Sequence, residues 1–218
     1  MRVLLFWLLW LPLQGFAQEK APEQKRERPS YTLKIAPGAL LNFFQQALVI
    51  QADIPLSPRW GIDMGAGFVF NSVSFASFKD ESYRGLKLRP SLKYYTKQSG
   101  LENNYVGLML KYNNLSSDRY VNVIRQGGQY TEWMLQRRHF ITYGVSIQLG
   151  TQEYFGKRQR CMIEPFFALG VRYLKISRDA LPPDAELIPE RNFFDFERQP
   201  GNYRVPDLTL GFYLGGVL

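Results

Sequence analysis

The sequence contains one cysteine, Cys161, one histidine, His139, and no long uninterrupted apolar run after residue 17. A lone cysteine has no partner within the chain, so an intramolecular disulfide is excluded. A helical membrane span needs about 20 consecutive apolar residues, and the mean hydropathy of -0.25 agrees with their absence. Also missing are a Gly-rich phosphate loop, a metal-ligand spacing and a nucleotide fingerprint. With a single imidazole, a serine–histidine–acid relay would have to be built around His139.

What is present begins with a leader. Met1 to Ala17 carries one cation, Arg2, an apolar core from Val3 to Leu13, and small residues at Gly15 and Ala17. This is the layout of a secretory signal peptide, since the core is too short to cross about 30 Å of hydrocarbon. No cysteine follows it directly, which argues against lipoprotein processing. Removing Arg2 with the leader leaves 26 cations against 19 anions, a net charge of +7. For an exported protein the expected counterpart is anionic lipid headgroups rather than nucleic acid. Gln18 to Ser30 is charged, contains proline and lacks apolar periodicity, and reads as a flexible periplasmic lead-in.

From residue 31 onward the chain alternates. In Phe140 to Gly150 every odd position is apolar and most even ones are small or polar, the period of an extended strand with one apolar face. Turn signals divide the remainder into eight strand candidates: Tyr31 to Leu41, Phe44 to Pro55, Arg59 to Ser74, Tyr83 to Thr96, Asn103 to Arg125, Gln129 to Tyr154, Gln159 to Ser177 and Arg204 to Leu218. Short turns at Leu56 to Arg59, Lys97 to Leu101 and Gly156 to Arg158 alternate with longer connections, including Arg178 to Tyr203. An even strand number and alternating loop lengths predict an all-β fold, an eight-stranded antiparallel up-and-down transmembrane β-barrel over residues 31–218.

Faces follow from the period. Val106, Leu108, Leu110 and Tyr112 point outward on the fifth strand, Ile163, Phe167, Leu169, Val171 and Tyr173 on the seventh, and Leu208, Leu210, Phe212 and Leu214 on the last. The pattern, for instance Leu88-Arg89-Pro90-Ser91-Leu92-Lys93-Tyr94-Tyr95 before a short turn and the terminal Leu208 to Leu218 strand, resembles the small OmpA/OmpX-like outer-membrane barrels. It is closest to domain-of-unknown-function families of such barrels. That resemblance implies residence in the outer membrane of a Gram-negative bacterium and is weak for function. The chain departs from many such barrels by ending in Leu218 rather than an aromatic residue.

The lumen positions collect Lys34, Gln51, Asp53, Asp63, Lys87, Arg89, Lys93, Gln148, Glu164 and Arg172. Eight strands leave an interior that side chains fill, so a charge network of Asp53, Asp63, Lys87, Arg89, Lys93, Glu164 and Arg172 is expected to seal it. The turn at Ser57-Pro58 sets Asp53 opposite Asp63, like charges that need a cation between them. Lys93 is the expected one, with Arg89 behind it. Two carboxylates alone make a weak metal site, and no cofactor is expected.

The fifth and sixth strands exceed the roughly 25 Å apolar band and predict a protruding hairpin with its tip at Gly127-Gly128. Tyr120, Val121, Val123, Ile124, Trp133, Met134 and Leu135 form a candidate partner surface on it, unless the long loop with Phe193-Phe194-Asp195-Phe196 covers them. Arg137, Arg138 and His139 lie below it as a candidate lipid-headgroup contact. The His-x-Ser arrangement associated with lipid A deacylase barrels is absent at His139, where Ile141 stands two residues on; Asp118 and Ser116-Ser117 lie in the facing strand region, but no catalytic residue is expected. The function expected is a non-enzymatic structural component, adhesin or accessory subunit contacting outer-membrane lipid and other outer-membrane or extracellular proteins. A lipid A-modifying enzyme and a narrow pore are the alternatives.

Overall fold

The computed structural model describes residues 31–40, 47–70, 81–99, 102–156, 160–188 and 200–218. The expected leader, the lead-in and the Phe193 to Phe196 cluster lie outside them. The elements are β1 (Thr32–Ile35), α1 (Pro37–Leu40), β2 (Ala47–Pro55), β3 (Trp60–Val69), β4 (Glu81–Ser99), β5 (Glu102–Arg125), β6 (Tyr130–Phe155), β7 (Cys161–Arg178), β8 (Ala185–Leu187) and β9 (Gly201–Val217). No helix among the described residues is long and apolar enough to cross a membrane.

Eight strands pair antiparallel with their neighbours in chain order, β9 follows β7, and β9 pairs back to β1, so the sheet closes into a ring. The stagger is readable from the partners. Ile35 leads through Ile50, Ala66, Leu88, Tyr112, Tyr143 and Tyr173 to Arg204, whereas Ile35 itself pairs with Leu214 on β9. The ring therefore closes with a stagger of ten residues over eight strands, which tilts the strands by about 43°. The tight turn at Leu56 to Arg59 and the paired ends Tyr31 and Leu218 sit at one end, called lower here. The β5–β6 hairpin and β8 sit at the other, upper, end.

Two elements depart from expectation. The first strand was expected to reach Leu41, but its ladder stops at Ile35 because Pro37 has no N–H to donate and opens α1 instead. The short β8 was not anticipated; it pairs with Val123 to Arg125 of β5 above the ring. At the hairpin tip Gln126, Gly127 and Gly128 all have positive φ (49°, 67° and 105°), a reversal that glycine adopts without strain.

Proline also explains two of the breaks in the ladders. Direct pairing of β6 with β7 runs to Gly150↔Phe166 and resumes at Glu153↔Ile163, skipping Glu164 and Pro165. Likewise β4 and β5 pair at Leu88↔Tyr112 and next at Ser91↔Met109, skipping Arg89 and Pro90. Each proline lacks the donor that the ladder needs. Room for large inward side chains comes from glycines on the neighbouring strand: a Cβ at Gly215 would stand 2.8 Å from Lys34 Cγ, and one at Gly150 would stand 2.5 Å from the Tyr105 hydroxyl.

Candidate functional site

The lower interior is an ion-paired cluster. Asp53 and Asp63 are direct partners across β2 and β3, and both are buried with Lys34, Lys93 and Glu164. Lys34 Nζ lies 2.5 Å from Asp63 Oδ2 and 2.9 Å from Glu164 Oε2; Lys93 Nζ lies 2.6 Å from Asp63 Oδ2 and 2.5 Å from Glu164 Oε1. Asp53 Oδ2 stands further away, 3.7 Å and 3.9 Å from the two nitrogens. It is held instead by donors, the Tyr95 hydroxyl at 3.0 Å and Gln152 Nε2 at 2.6 Å. The Tyr105 hydroxyl donates to Glu164 at 2.7 Å and accepts from Gln148 Nε2 at 2.8 Å.

Lys93 thus sits where the sequence placed a cation, but Lys34 shares the role and Arg89 does not. Arg89 makes no ion pair with either aspartate among the described residues, because it lies four residues above Lys93 on β4. Oxygens of Asp53, Asp63 and Glu164 fall within 4.8 Å of one another, a spacing that suits a metal ion. A divalent cation would, however, have to displace an ammonium already bound to two of these acids.

Towards the upper end the interior changes sign. Along β7 the inward series passes from Glu164 through buried Phe166 and Ala168 to Arg172, and along β5 buried Met109 precedes Lys111. Phe166 stacks on Tyr213 with ring centroids 4.8 Å apart. Above them Lys111 pairs with Asp207 and donates to Thr209 Oγ1 at 2.6 Å, while Ser146 Oγ donates to Asp207 at 2.9 Å. Lys87 and Arg89 belong to this upper group, and neither forms an ion pair among the described residues. The expected single network is therefore two.

The hairpin divides its apolar residues between faces. Tyr120, Trp133 and Leu135 are exposed, with Tyr120 opposite Leu135 and Asn122 opposite Trp133, while Ile124 and Met134 are half-buried. Val121 and Val123, expected on the same surface, are 4% and 0% exposed. Their odd numbering turns them to the inner face at the height where β8 lies along β5. Arg125 is tied to Asp184 at 2.9 Å and to Glu132 at 3.2 Å, which anchors this segment.

Arg138 likewise fails as a headgroup contact. It faces inward and is buried, because consecutive strand residues point to opposite sides. Arg137 and His139 do point outward. Asp118 accepts from Arg137 Nε at 2.7 Å and from Arg84 Nη2 at 3.3 Å. The Arg137 hydrogen bond holds the Asp118 carboxyl below the ordinary carboxylate range.

His139 Nε2 lies 3.7 Å from Asp179 Oδ1, and its cross-strand partners are Ser116 and Ser177. Ser116 stands in the facing strand, as the sequence suggests, whereas Ser177 and Asp179 come beside the imidazole only through the pairing of β6 with β7 and the residue that follows it. No hydrogen bond joins His139 to either hydroxyl among the described residues.

No protein-family model matches the chain, and no curated protein matches it. Among solved structures it is similar to a major outer membrane protein from Thermus thermophilus, at 12% identity and a TM-score of 0.41, with 85% of this chain and 97% of that one covered.

Proposed function

We propose that the chain is an integral outer-membrane β-barrel with a sealed lumen, acting through its outward and upper surfaces rather than by transport. The observation that carries this reading is the outer face of the ring. Large apolar side chains occupy it on every long strand, with Phe68 60%, Ile147 60%, Leu208 62% and Leu210 72% exposed. A continuous girdle of this kind far exceeds the few hundred Å² of apolar patch that a water-soluble monomer tolerates. On β7 it runs ten residue steps, from Ile163 to Tyr173. At about 3.4 Å per residue and about 45° of tilt that is about 24 Å, the height of an outer-membrane barrel's apolar band.

Aromatic residues flank the band as bilayer interfaces favour. Tyr112, Tyr143 and Tyr173 lie in direct register near the top, and Trp60 packs on Tyr94 near the bottom at 5.0 Å. The leader-like Met1 to Ala17 supports export. Heat-modifiable gel migration and co-fractionation with the outer membrane test the barrel; identical migration before and after boiling would sink it. Absence of conductance steps in planar bilayers is the expected companion result, given the packed interior.

Within this reading the working surface is Tyr120, Trp133 and Leu135, which suits an adhesin or an accessory subunit. Replacing the three together by serine should release any copurifying membrane protein while leaving heat-modifiability unchanged. A second reading, a lipid A-modifying enzyme, is favoured by His139 standing between Ser116 and Ser177 with Asp179 at 3.7 Å. It requires an altered lipid A mass spectrum on deletion that His139→Ala fails to restore.

A further inference from the structure

Directly above the outward apolar band, on the side of the ring formed by β4 to β7 and β9, the exposed residues change to cations. They are Arg84 on β4, Arg137 on β6, Lys175 on β7 and Arg204 on β9, with the half-buried imidazole of His139 beside them on β6. Their heights follow from the stagger of the ring. Stepping straight across the sheet from β6 to β7 to β9 climbs towards the upper end, so a level path drops a little over one residue per step. The direct partner of His139 is Ser177 and that of Lys175 is Asn202. Lys175 and Arg204 are each two residues lower than those partners, so His139, Lys175 and Arg204 follow an almost level diagonal. Such neighbours are about 7–8 Å apart at the backbone.

The charges on this belt are unequally satisfied. Asp118 is shared by Arg84 and Arg137, and Asp179 stands beside His139. Lys175 and Arg204 are exposed and have no ion-pair partner among the described residues. Beneath them lies Tyr173, the direct cross-strand partner of Arg204, at the upper limit of the apolar band. A flexible ammonium and a forked guanidinium side by side, above an aromatic ring at an apolar boundary, match a phosphate monoester attached to acyl chains.

We propose that Lys175 and Arg204, flanked by His139 and by the Asp118-oriented Arg84 and Arg137, bind a phosphate group of the outer-leaflet glycolipid, that is, lipid A. The inference rests on the membrane reading above. The phosphate sits against β7 and β9 and the acyl chains lie down the Val171, Leu169 and Leu208 surface. Acidic phospholipid and free inorganic phosphate are the competing sources of the same chemistry.

The test inserts the full chain into phosphatidylcholine vesicles, confirms insertion by heat-modifiable migration, and extracts it with added diphosphoryl lipid A for native mass spectrometry. Wild type should retain lipid A, and the Lys175→Gln/Arg204→Gln double variant should retain it about thirty-fold more weakly, at about tenfold or less for each exposed cation. Dephosphorylated lipid A should be lost from wild type to the same degree, which keeps the contact testable if the double variant folds poorly. Phosphatidylglycerol or millimolar inorganic phosphate competing on equal terms would overturn the assignment to lipid A. Equal retention by wild type and variant, or of phosphorylated and dephosphorylated lipid, would overturn the site while leaving the barrel intact. Failure of wild type to insert would overturn the membrane reading and the site with it.

Discussion

The two halves of the interior are both lined with charged side chains, yet they solve opposite problems. Below, three carboxylates surround two ammoniums, and Tyr95, Tyr105, Gln148 and Gln152 add further hydrogen bonds. Above, Lys87, Arg89, Lys111 and Arg172 share the interior with one paired acid, Asp207, which is bonded to Lys111. The lower group is a plug in which each charge is another's partner. Taking so many charges out of water is tolerable only with this degree of pairing, because an unpaired buried ion carries its full desolvation cost. The upper group lies nearer the mouth and carries an excess of positive charge. The difference teaches that dense pairing and charge balance are separate properties of this interior.

If the lower group is the plug, removing its most connected member should do the most damage. Glu164 accepts from Lys34, Lys93, Tyr105 and Gln152. Glu164→Ala should therefore lower stability to urea or heat by about 3–5 kcal/mol, read from the loss of the folded band on unheated gels. A loss below about 1 kcal/mol would show that water replaces the carboxylate freely and that the lower lumen is not sealed.

Next in size comes the acid of the upper group. Asp207→Asn leaves Lys111 with Thr209 and removes the one carboxylate bonded to it, a change expected to cost about 1–3 kcal/mol. A double-mutant cycle sharpens the contrast. Coupling between Lys93 and Glu164 should exceed coupling between Lys111 and Asp207, since the first pair lies wholly inside and the second nearer the mouth. Equal coupling energies would erase the distinction between plug and mouth.

Much of this was legible in the chain. The two-residue period is local, so the inward and outward sets on the fifth, seventh and last strands follow from residue parity alone. So does the Asp53–Asp63 opposition, because one tight turn sets its register. What parity could not supply is closure. Lys34 reaches Glu164, 130 positions away, only because β1 pairs with β9, a contact that no local pattern encodes. Arg138, Val121 and Val123 depart for another reason: each sits in a run of similar residues, and a strand sends consecutive side chains to opposite faces. Pro37 and the Ser177 and Asp179 neighbours of His139 show a different limit, since a ladder's end and a contact from the far strand depend on the partner strand.

The smallest expected effect is the most discriminating, because it has the opposite sign. Lys87 is 6% exposed, and no carboxylate pairs with it among the described residues. Arg89, a like charge, is two residues away on the same inward row. Replacing a buried, unpaired ammonium by an apolar chain of similar length removes a desolvation cost and sacrifices no ion pair, so Lys87→Met should be neutral or stabilising by up to about 1 kcal/mol. Lys93→Met makes the same chemical change six residues lower on the strand, but there it strands Asp63 and Glu164 beside a single remaining ammonium and should destabilise. Urea titration of the two variants side by side reads the difference directly. Destabilisation by both substitutions to the same extent would mean that Lys87 also belongs to the sealed, mutually paired interior.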